Sequence, residues 1–470
     1  MPRKSNPRPK GQFGTDLAIA LTVSAEPEPI DATPKHSDRR GQPRPARDYD
    51  RSSRAKVVGY VRELGPGLIT GAADDDPSGI STYSQAGAAY GTGLLWTAIV
   101  SFPLMCAVQL MCARIGIVAR NGLAGVLREQ YSRWMLWIAC ALLLFANTVN
   151  IAADLAGMAA ATVLLTGGRG LWFVPIYTVL VILLLVFSSY ETMTRVLKWL
   201  ALALFAYVIG AFLAHPQWSR VIGETLAPHF TFSQEYLLMF VAIMGTTISP
   251  YLFFWQAALN AEQDQQLMGR FGKRPRRAVG RELRAARRDV YTGMLVSNLI
   301  MFFIILTAGV TLHRAGITEI QTADQAAQAL RPLAGRAAEL LFAAGIVGTG
   351  MLGVPVLAGS GAYAVAEAAA WRRGMNERPR SAANFYGVIV AAMIIGMVLN
   401  FAKLDAIKLL LWAAVVNGLM APPLIVIILI VCNNDKVMGP HRNGWKLNVV
   451  GGIAALVMGV AAITLIASWF

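Results

Sequence analysis

Apolar runs of about 20 residues recur along the chain from about residue 65 to the last residue. Each run is long enough to cross a hydrocarbon core about 30 Å thick. Because lipid offers the backbone no hydrogen bonds, such runs must be helices, and their length excludes an outer-membrane β-barrel. The pattern predicts an all-α, polytopic membrane bundle of about eleven spans. The spans are expected at about residues 65–90, 92–117, 133–164, 171–189, 193–214, 236–260, 289–312, 336–368, 384–402, 405–431 and 446–469.

Two of these runs are interrupted by a polar residue that is followed by proline. The first span contains Asp76-Pro77, and the sixth contains Ser249-Pro250. Proline removes a helix hydrogen bond, so carbonyls are freed at mid-membrane depth, where they must face protein, water or an ion. Five spans separate the breaks, an arrangement that resembles LeuT-like inverted five-helix repeats with an ion or substrate site between discontinuous helices. Two ordinary proline-kinked helices are the alternative.

Composition agrees with a chain that lies mostly in a lipid bilayer. Of its 470 residues, 55% are hydrophobic and 15% are charged, and the mean hydropathy is +0.50. The net charge of +15 would suit nucleic acid, but the basic residues lie between the apolar runs and before them, so no nucleic-acid partner is expected. Residues 1–56 lack a signal-peptide-like apolar stretch and are expected to form a disordered basic tail, with a transporter domain at 57–470.

The basic residues also predict an orientation in the cell membrane. The densest basic run lies in the connection at residues 262–288, which the positive-inside rule places in the cytoplasm. The N-terminus is then cytoplasmic and the C-terminus is outside. The absence of a phosphate loop, a nucleotide fingerprint or a nucleophile constellation argues against an enzyme, and neither a cofactor nor an obligate protein partner is inferred. Four cysteines without zinc-site spacing are expected to be core thiols: Cys106, Cys112, Cys140 and Cys432.

Three consecutive aspartates, Asp74, Asp75 and Asp76, lie in the first apolar run. Each carboxylate at the centre of a span costs roughly 2.5 to 3.5 kcal/mol, so something must compensate it. A divalent cation would do so, because carboxylates, hydroxyls and carbonyls are the ligands that hard cations prefer. Asp76, beside the break, is the best ligand candidate. Asp74 and Asp75 are expected to support the site from behind or to line a vestibule, where water could also solvate them.

Three segments resemble the NRAMP family of divalent metal transporters. Gly65-Pro66-Gly67 through Tyr90-Gly91 resembles the first span of that family, residues 245–251 the sixth and residues 151–157 the third. The family motif Asp-Pro-Gly-Asn is matched at Asp76, but Gly79 stands where the ligating Asn should be.

The sixth-span motif Ala-x-x-Met-Pro-His is also altered. Thr246 stands at the position of the Ala, Ser249 at that of the ligating Met and Tyr251 at that of the His. The resemblance implies a metal site at Asp76, Gly79, Thr246 and Ser249. Loss of the thioether favours a harder ion such as Mg²⁺ or Mn²⁺, as in the NRAMP-related magnesium transporters, which this chain resembles.

The resemblance also bears on proton coupling. Tyr251 and Gln256 replace sixth-span histidines and Gly157 replaces a third-span glutamate, so the usual proton route is mostly dismantled. Asp154 remains, either with a transport role or in a structural pairing. Asn417 is either an oxygen donor or an interhelical hydrogen-bonding residue, and Glu367, near a span end, is expected to be solvated.

Together these features predict transport of Mg²⁺ or Mn²⁺ by alternating access, without obligatory proton coupling. The expected partners are the divalent cation, which is the transported substrate, and the lipid bilayer that surrounds the protein. Three alternatives stay open: a proton-coupled Mn²⁺ or Fe²⁺ symporter, an organic-solute carrier on the same scaffold, and a metal sensor that transports nothing. An organic-solute carrier has no need of the acidic cluster.

Overall fold

The computed structural model describes residues 66–187, 204–228, 230–231, 233–271, 276–402 and 404–470. Within these ranges all regular structure is helical. The expected tail at residues 1–56 and the start of the fifth span lie outside them. The α-helices are α1 (Pro66–Asp74), α2 (Pro77–Tyr90), α3 (Trp96–Ala119), α4 (Leu123–Gln130), α5 (Arg133–Thr166), α6 (Gly170–Phe187), α7 (Phe205–Leu213), α8 (Trp218–Leu226), α9 (Gln234–Thr247), α10 (Pro250–Phe271), α11 (Arg276–Thr311), α12 (Ala323–Ala327), α13 (Arg331–Ala334), α14 (Ala338–Ala368), α15 (Ala383–Leu399), α16 (Ala406–Asn433), α17 (Asp435–Met438) and α18 (Trp445–Ala467).

The predicted polytopic helical bundle is confirmed. In the described part of the chain, nine helical segments are long and apolar enough to cross a membrane, with α9 and α10 counted as one. The split pair α1 and α2 occupies the predicted first span, and α7 is the described end of the fifth. The basic connection at residues 262–288 proves to be largely helical, because α10 continues to Phe271 and α11 begins at Arg276.

The broken first span lies at the centre of the packing. Both α1 and α2 pack against α11, and α2 also contacts α9 and α16. A Cβ atom on Gly71 would lie 2.3 Å from the carbonyl oxygen of Gly293, so the backbones of α1 and α11 touch there. Small residues permit such close approach between membrane helices.

Glu367, at the end of α14, is not solvated as the sequence suggested. Only 2% of the Glu367 surface is exposed. One carboxylate oxygen accepts a hydrogen bond from the Gly125 backbone N–H at 3.0 Å, and the other lies 3.4 Å from Arg373 Nε. The first N–H groups of a helix have no partner inside that helix, so Glu367 caps α4 from a distant part of the chain. The solvation prediction was wrong because the sequence does not show that α4 lies against α14.

Candidate metal site

The first break is built as the start of a new helix. Asp76 is the N-cap of α2: its Oδ1 accepts hydrogen bonds from Gly79 N at 2.8 Å and from Ser78 Oγ at 2.7 Å. Pro77 is the first residue of α2, a position that proline favours because an N–H there has no helical partner. The segment Asp-Pro-Ser-Gly therefore ends one half-helix and begins the next, with Asp76 buried between them.

The second break ends α9 at Thr247 and begins α10 at Pro250. The Ser249 hydroxyl lies 2.8 Å from the carbonyl oxygens of Gly245 and Thr246, and the Thr246 hydroxyl donates to Ile243 O at 2.9 Å. Both hydroxyl hydrogens thus point back into α9, which leaves the lone pairs of both oxygens for another donor or for a cation.

Tyr251 joins the two breaks. Its hydroxyl lies 2.9 Å from Ala73 O and 3.2 Å from Asp76 Oδ2, and the residue is fully buried. In a continuous helix the Ala73 carbonyl would accept from the N–H four residues later, but that residue is Pro77, which has none. Tyr251 therefore supplies a donor that the break itself has removed.

Asp74 and Asp75 are buried, with 0% and 1% exposure, so the alternative in which water solvates them does not hold. The hydroxyl of Ser297, on α11, lies 2.6 Å from Asp74 Oδ2 and 3.4 Å from Asp75 Oδ1. Because α1 ends at Asp74, the three aspartates are not in one regular helix, and their side chains have different neighbours.

Gly79 and Asp154 both lie near Asp76. A Cβ atom on Gly79 would be 3.4 Å from both Asp74 O and Tyr83 Cε2, so a single added carbon would make ordinary van der Waals contacts there. A Cβ atom on Gly353 of α14 would lie 3.0 Å from Asp76 Cβ and 3.8 Å from Asp154 Oδ2. Asp154 is buried near the Ser78 backbone N–H, yet among the described residues neither of its oxygens has a partner in hydrogen-bond geometry.

Gln256 and Asn417 lie in contacts between helices. Gln256 Oε1 accepts from Thr70 Oγ1 of α1 at 2.7 Å, and its Nε2 donates to Asn260 Oδ1 at 2.7 Å. Asn417 exchanges hydrogen bonds with Asn150 at 2.8 and 3.1 Å, which joins α16 to α5. Gln256 therefore contributes to holding α1 against α10.

Sequence reasoning missed the polar stripe on α11 that faces the first broken span. Asp289 Oδ2 accepts a hydrogen bond from Gly67 N at 2.6 Å, Gly293 touches Gly71, and Ser297 reaches Asp74. Positions 289, 293 and 297 are four residues apart, so they share one helix face. That spacing was a visible signal within an otherwise apolar run.

The donor set at the breaks is made of oxygen. No group of three or more His, Cys, Asp or Glu side chains is arranged to hold a metal within the described ranges. A cation at Asp76 would therefore combine that carboxylate with hydroxyl, carbonyl and water oxygens, which are ligands of hard ions.

A multi-span bundle whose first and sixth spans are broken, with the breaks joined at a buried carboxylate, has the architecture of the secondary transporters. The model of the Nramp family, described as natural resistance-associated macrophage protein-like, matches residues 67–468. The chain therefore belongs to the Nramp family.

Named relatives and a solved structure agree with this assignment. The chain is 27% identical over 312 residues to the divalent metal cation transporter MntH of Erwinia tasmaniensis, covering 65% of this chain and 72% of that one. It is 26% identical over 423 residues to MntH of Aeromonas hydrophila, covering 86% and 95%. A crystal structure of the Eremococcus coleocola manganese transporter, in complex with an aromatic bis-isothiourea substituted compound, aligns with a TM-score of 0.68, 19% identity and 87% of each chain. At that identity the likeness shows the fold.

Proposed function

We propose that this protein transports a divalent metal cation, Mg²⁺ or Mn²⁺, across the cell membrane by alternating access around Asp76. The observation that carries the proposal is the meeting of two helix breaks at this carboxylate, which Tyr251 bridges from the other broken span. Paired discontinuous helices of this kind build ion sites near the bilayer midplane. Relatives named divalent metal cation transporter MntH support the same substrate class.

The oxygen donors favour a hard ion. Ser249 offers a hydroxyl where the family motif has a thioether, and sulfur is the ligand that favours softer metals. Gly79 offers no side-chain ligand, although a Cβ atom there would fit. A site with one carboxylate and few side-chain ligands suits a partly hydrated ion, since Mg²⁺ gives up its waters reluctantly.

Membrane potential can drive this transport without a proton gradient. Moving one elementary charge through 100 mV is worth about 2.3 kcal/mol, so a dication gains about 4.6 kcal/mol. Neither break contains a histidine, because Tyr251 and Gln256 occupy the sixth-span positions where the family has them. Proton coupling is therefore not part of the proposal.

Uptake into liposomes by the purified full chain tests the proposal. Mg²⁺, Mn²⁺, Ca²⁺ and Fe²⁺ are compared with and without a pH gradient, for wild type, Asp76→Ala and Asp435→Ala. Asp435 is the control because its carboxylate is largely exposed and pairs with Arg442 away from the breaks. We expect Asp76→Ala to lower uptake more than tenfold and Asp435→Ala to leave it unchanged.

Three results would contradict parts of the proposal. Unchanged uptake in Asp76→Ala would overturn the assigned site. Uptake of Mn²⁺ that always carries protons would favour the proton-coupled alternative. Metal binding without transport of any ion would favour a sensor.

A further inference from the structure

Asp74 and Asp75 share a single hydrogen-bond donor. The Ser297 hydroxyl has one hydrogen, and the shorter contact, 2.6 Å to Asp74 Oδ2, takes it; the contact to Asp75 Oδ1 is 3.4 Å. Asp74 Oδ1 and Asp75 Oδ2 have no hydrogen-bond partner in the part of the chain that the structure describes. A buried carboxylate that lacks donors is expensive, and either a bound cation or a proton would relieve that cost.

Asp76 differs sharply from this pair. It receives the Gly79 N–H and the Ser78 hydroxyl at Oδ1. The Tyr251 hydroxyl lies 3.2 Å from Oδ2, although its one hydrogen goes to the nearer Ala73 O, at 2.9 Å. It also lies at the N-terminus of α2, where the helix dipole favours an anion. Among the three consecutive aspartates, the oxygens without a donor in the described ranges are therefore on Asp74 and Asp75.

A third buried polar group belongs to the same broken span. Asp74 and Asp75 are the two charges that act most strongly on the phenol of Tyr83, which belongs to α2 and is fully buried. The Thr246 side chain lies nearby, but within the described ranges the Tyr83 oxygen has no partner in hydrogen-bond geometry. This phenol is another buried oxygen of the broken first span that has no partner in the described ranges.

No basic side chain of the described residues compensates the pair. The charges that act on Asp74 and Asp75 are those of neighbouring aspartates. Ion pairs in the described ranges join other residues, among them Arg120 with Asp264, Arg128 with Glu129, Arg220 with Glu224, Arg372 with Glu377, Arg373 with Glu367 and Arg442 with Asp435. A bound cation would supply the positive charge that these side chains do not.

We infer that Asp74, Asp75 and Ser297 form a second cation site, separate from the one at Asp76, that binds a hard divalent cation. Two carboxylates carry two negative charges. A dication would neutralise both, whereas a monovalent ion would neutralise only one. The carboxylate and hydroxyl oxygens are the ligands that Mg²⁺, Ca²⁺ and Mn²⁺ prefer. The inference concerns equilibrium binding, so it does not depend on transport.

Counting bound Mn²⁺ on the purified full chain in detergent tests the inference. Free Mn²⁺ is measured by electron paramagnetic resonance, and each variant is first checked by size-exclusion chromatography and thermal unfolding. Wild type is expected to bind two Mn²⁺ per chain. Asp75→Asn and Asp76→Ala are each expected to bind one, and the double variant none.

Ser297→Ala isolates the hydroxyl from the carboxylates. We expect it to weaken one of the two sites more than tenfold, while Ser101→Ala, a buried serine on α3, leaves both unchanged. Should Asp75→Asn fail to fold, Asp74→Asn replaces it with the same expected count.

Wild-type binding of no Mn²⁺, or of a single ion, would overturn the second site. So would two ions that persist in both Asp75→Asn and Ser297→Ala. One ion lost only in Asp76→Ala would leave the proposed transport function standing while removing this inference. The two proposals therefore fail on different measurements.

Discussion

The Tyr251 hydroxyl contacts two polar groups at the first break, where Pro77 interrupts the helix: Ala73 O and the Asp76 carboxylate. Pro77 removes the N–H that Ala73 O would accept, and it frees Asp76 to turn its carboxylate toward the second broken span. One phenol from α10 reaches both groups. An unsatisfied buried carbonyl costs about 1 to 3 kcal/mol, so this hydroxyl affects stability as well as the metal site.

Replacement of Tyr251 by phenylalanine tests both contacts. We expect Tyr251→Phe to lower the free energy of unfolding by about 1 to 3 kcal/mol, because Ala73 O loses its donor. We also expect it to alter the apparent affinity for the transported ion. Tyr207→Phe is the control, since that buried hydroxyl has no partner in hydrogen-bond geometry among the described residues. Equal thermal stability and uptake in both variants would contradict the role assigned to Tyr251.

Ser249 tests the class of ion. Ser249→Met places a thioether at the second break, where the serine oxygen now stands, and sulfur favours softer metals. We expect the ratio of Cd²⁺ to Mg²⁺ uptake to rise about tenfold, which corresponds to about 1.4 kcal/mol. Ile248→Met is the control because it adds a thioether one residue away. An unchanged ratio, or an equal rise in the control, would refute the ligand argument.

The sequence showed where these residues lie along the chain but not what they touch. Asp76 and Ser249 were found because a polar residue before proline is conspicuous in an apolar run. The contact of Tyr251 with Ala73, and that of Ser297 with two aspartates, depends on how α10 and α11 are placed against α1. Hydropathy carries no information on that placement.

At the scale of elements, the short helix α1 is fixed by its neighbours at three levels. Asp289 of α11 accepts the hydrogen of Gly67 N, Gln256 of α10 accepts that of the Thr70 hydroxyl, and Tyr251 of α10 donates to Ala73 O. Between them Gly71 lies against Gly293. The position of α1 therefore depends on contacts with two other helices.

Gly71→Ala should disturb that position. The added Cβ atom would lie 2.3 Å from a backbone oxygen, and no side-chain rotation can relieve such a contact. We expect α1 to shift away from α11, with uptake lowered more than tenfold and the free energy of unfolding lowered by about 1 to 3 kcal/mol. Gly452→Ala in α18 is the control because an added Cβ atom there meets nothing within 4 Å. Normal uptake by Gly71→Ala would show that the α1–α11 contact is dispensable.

The elements themselves were predicted with uneven success. Long apolar runs located the spans, because hydropathy reports which segments can lie in lipid. The extension of α10 to Phe271 was not anticipated, since its last turns are polar and carry no membrane signal. The capping of α4 by Glu367 joins residues more than 200 positions apart and leaves no local pattern.

At the scale of the whole molecule, the predicted orientation can be tested by chemical labelling. All four native cysteines are buried, so an introduced cysteine should give the main signal with a membrane-impermeant maleimide. We expect Phe470→Cys to be labelled in intact cells and Gln263→Cys only after permeabilisation, because the basic segment at residues 262–288 should face the cytoplasm. The reverse pattern would contradict the orientation.

The length of α1 also bears on how the molecule could open. With nine residues it is shorter than the 12 to 15 or so that an isolated helix needs to persist in water. Contacts with α10 and α11 therefore stabilise α1 as a helix. If α1 leaves them for a water-filled vestibule to release an ion, we expect it to lose its helical structure rather than to move as a rigid body. Release would then be a local order-to-disorder transition, and its rate would follow the cost of unfolding these nine residues.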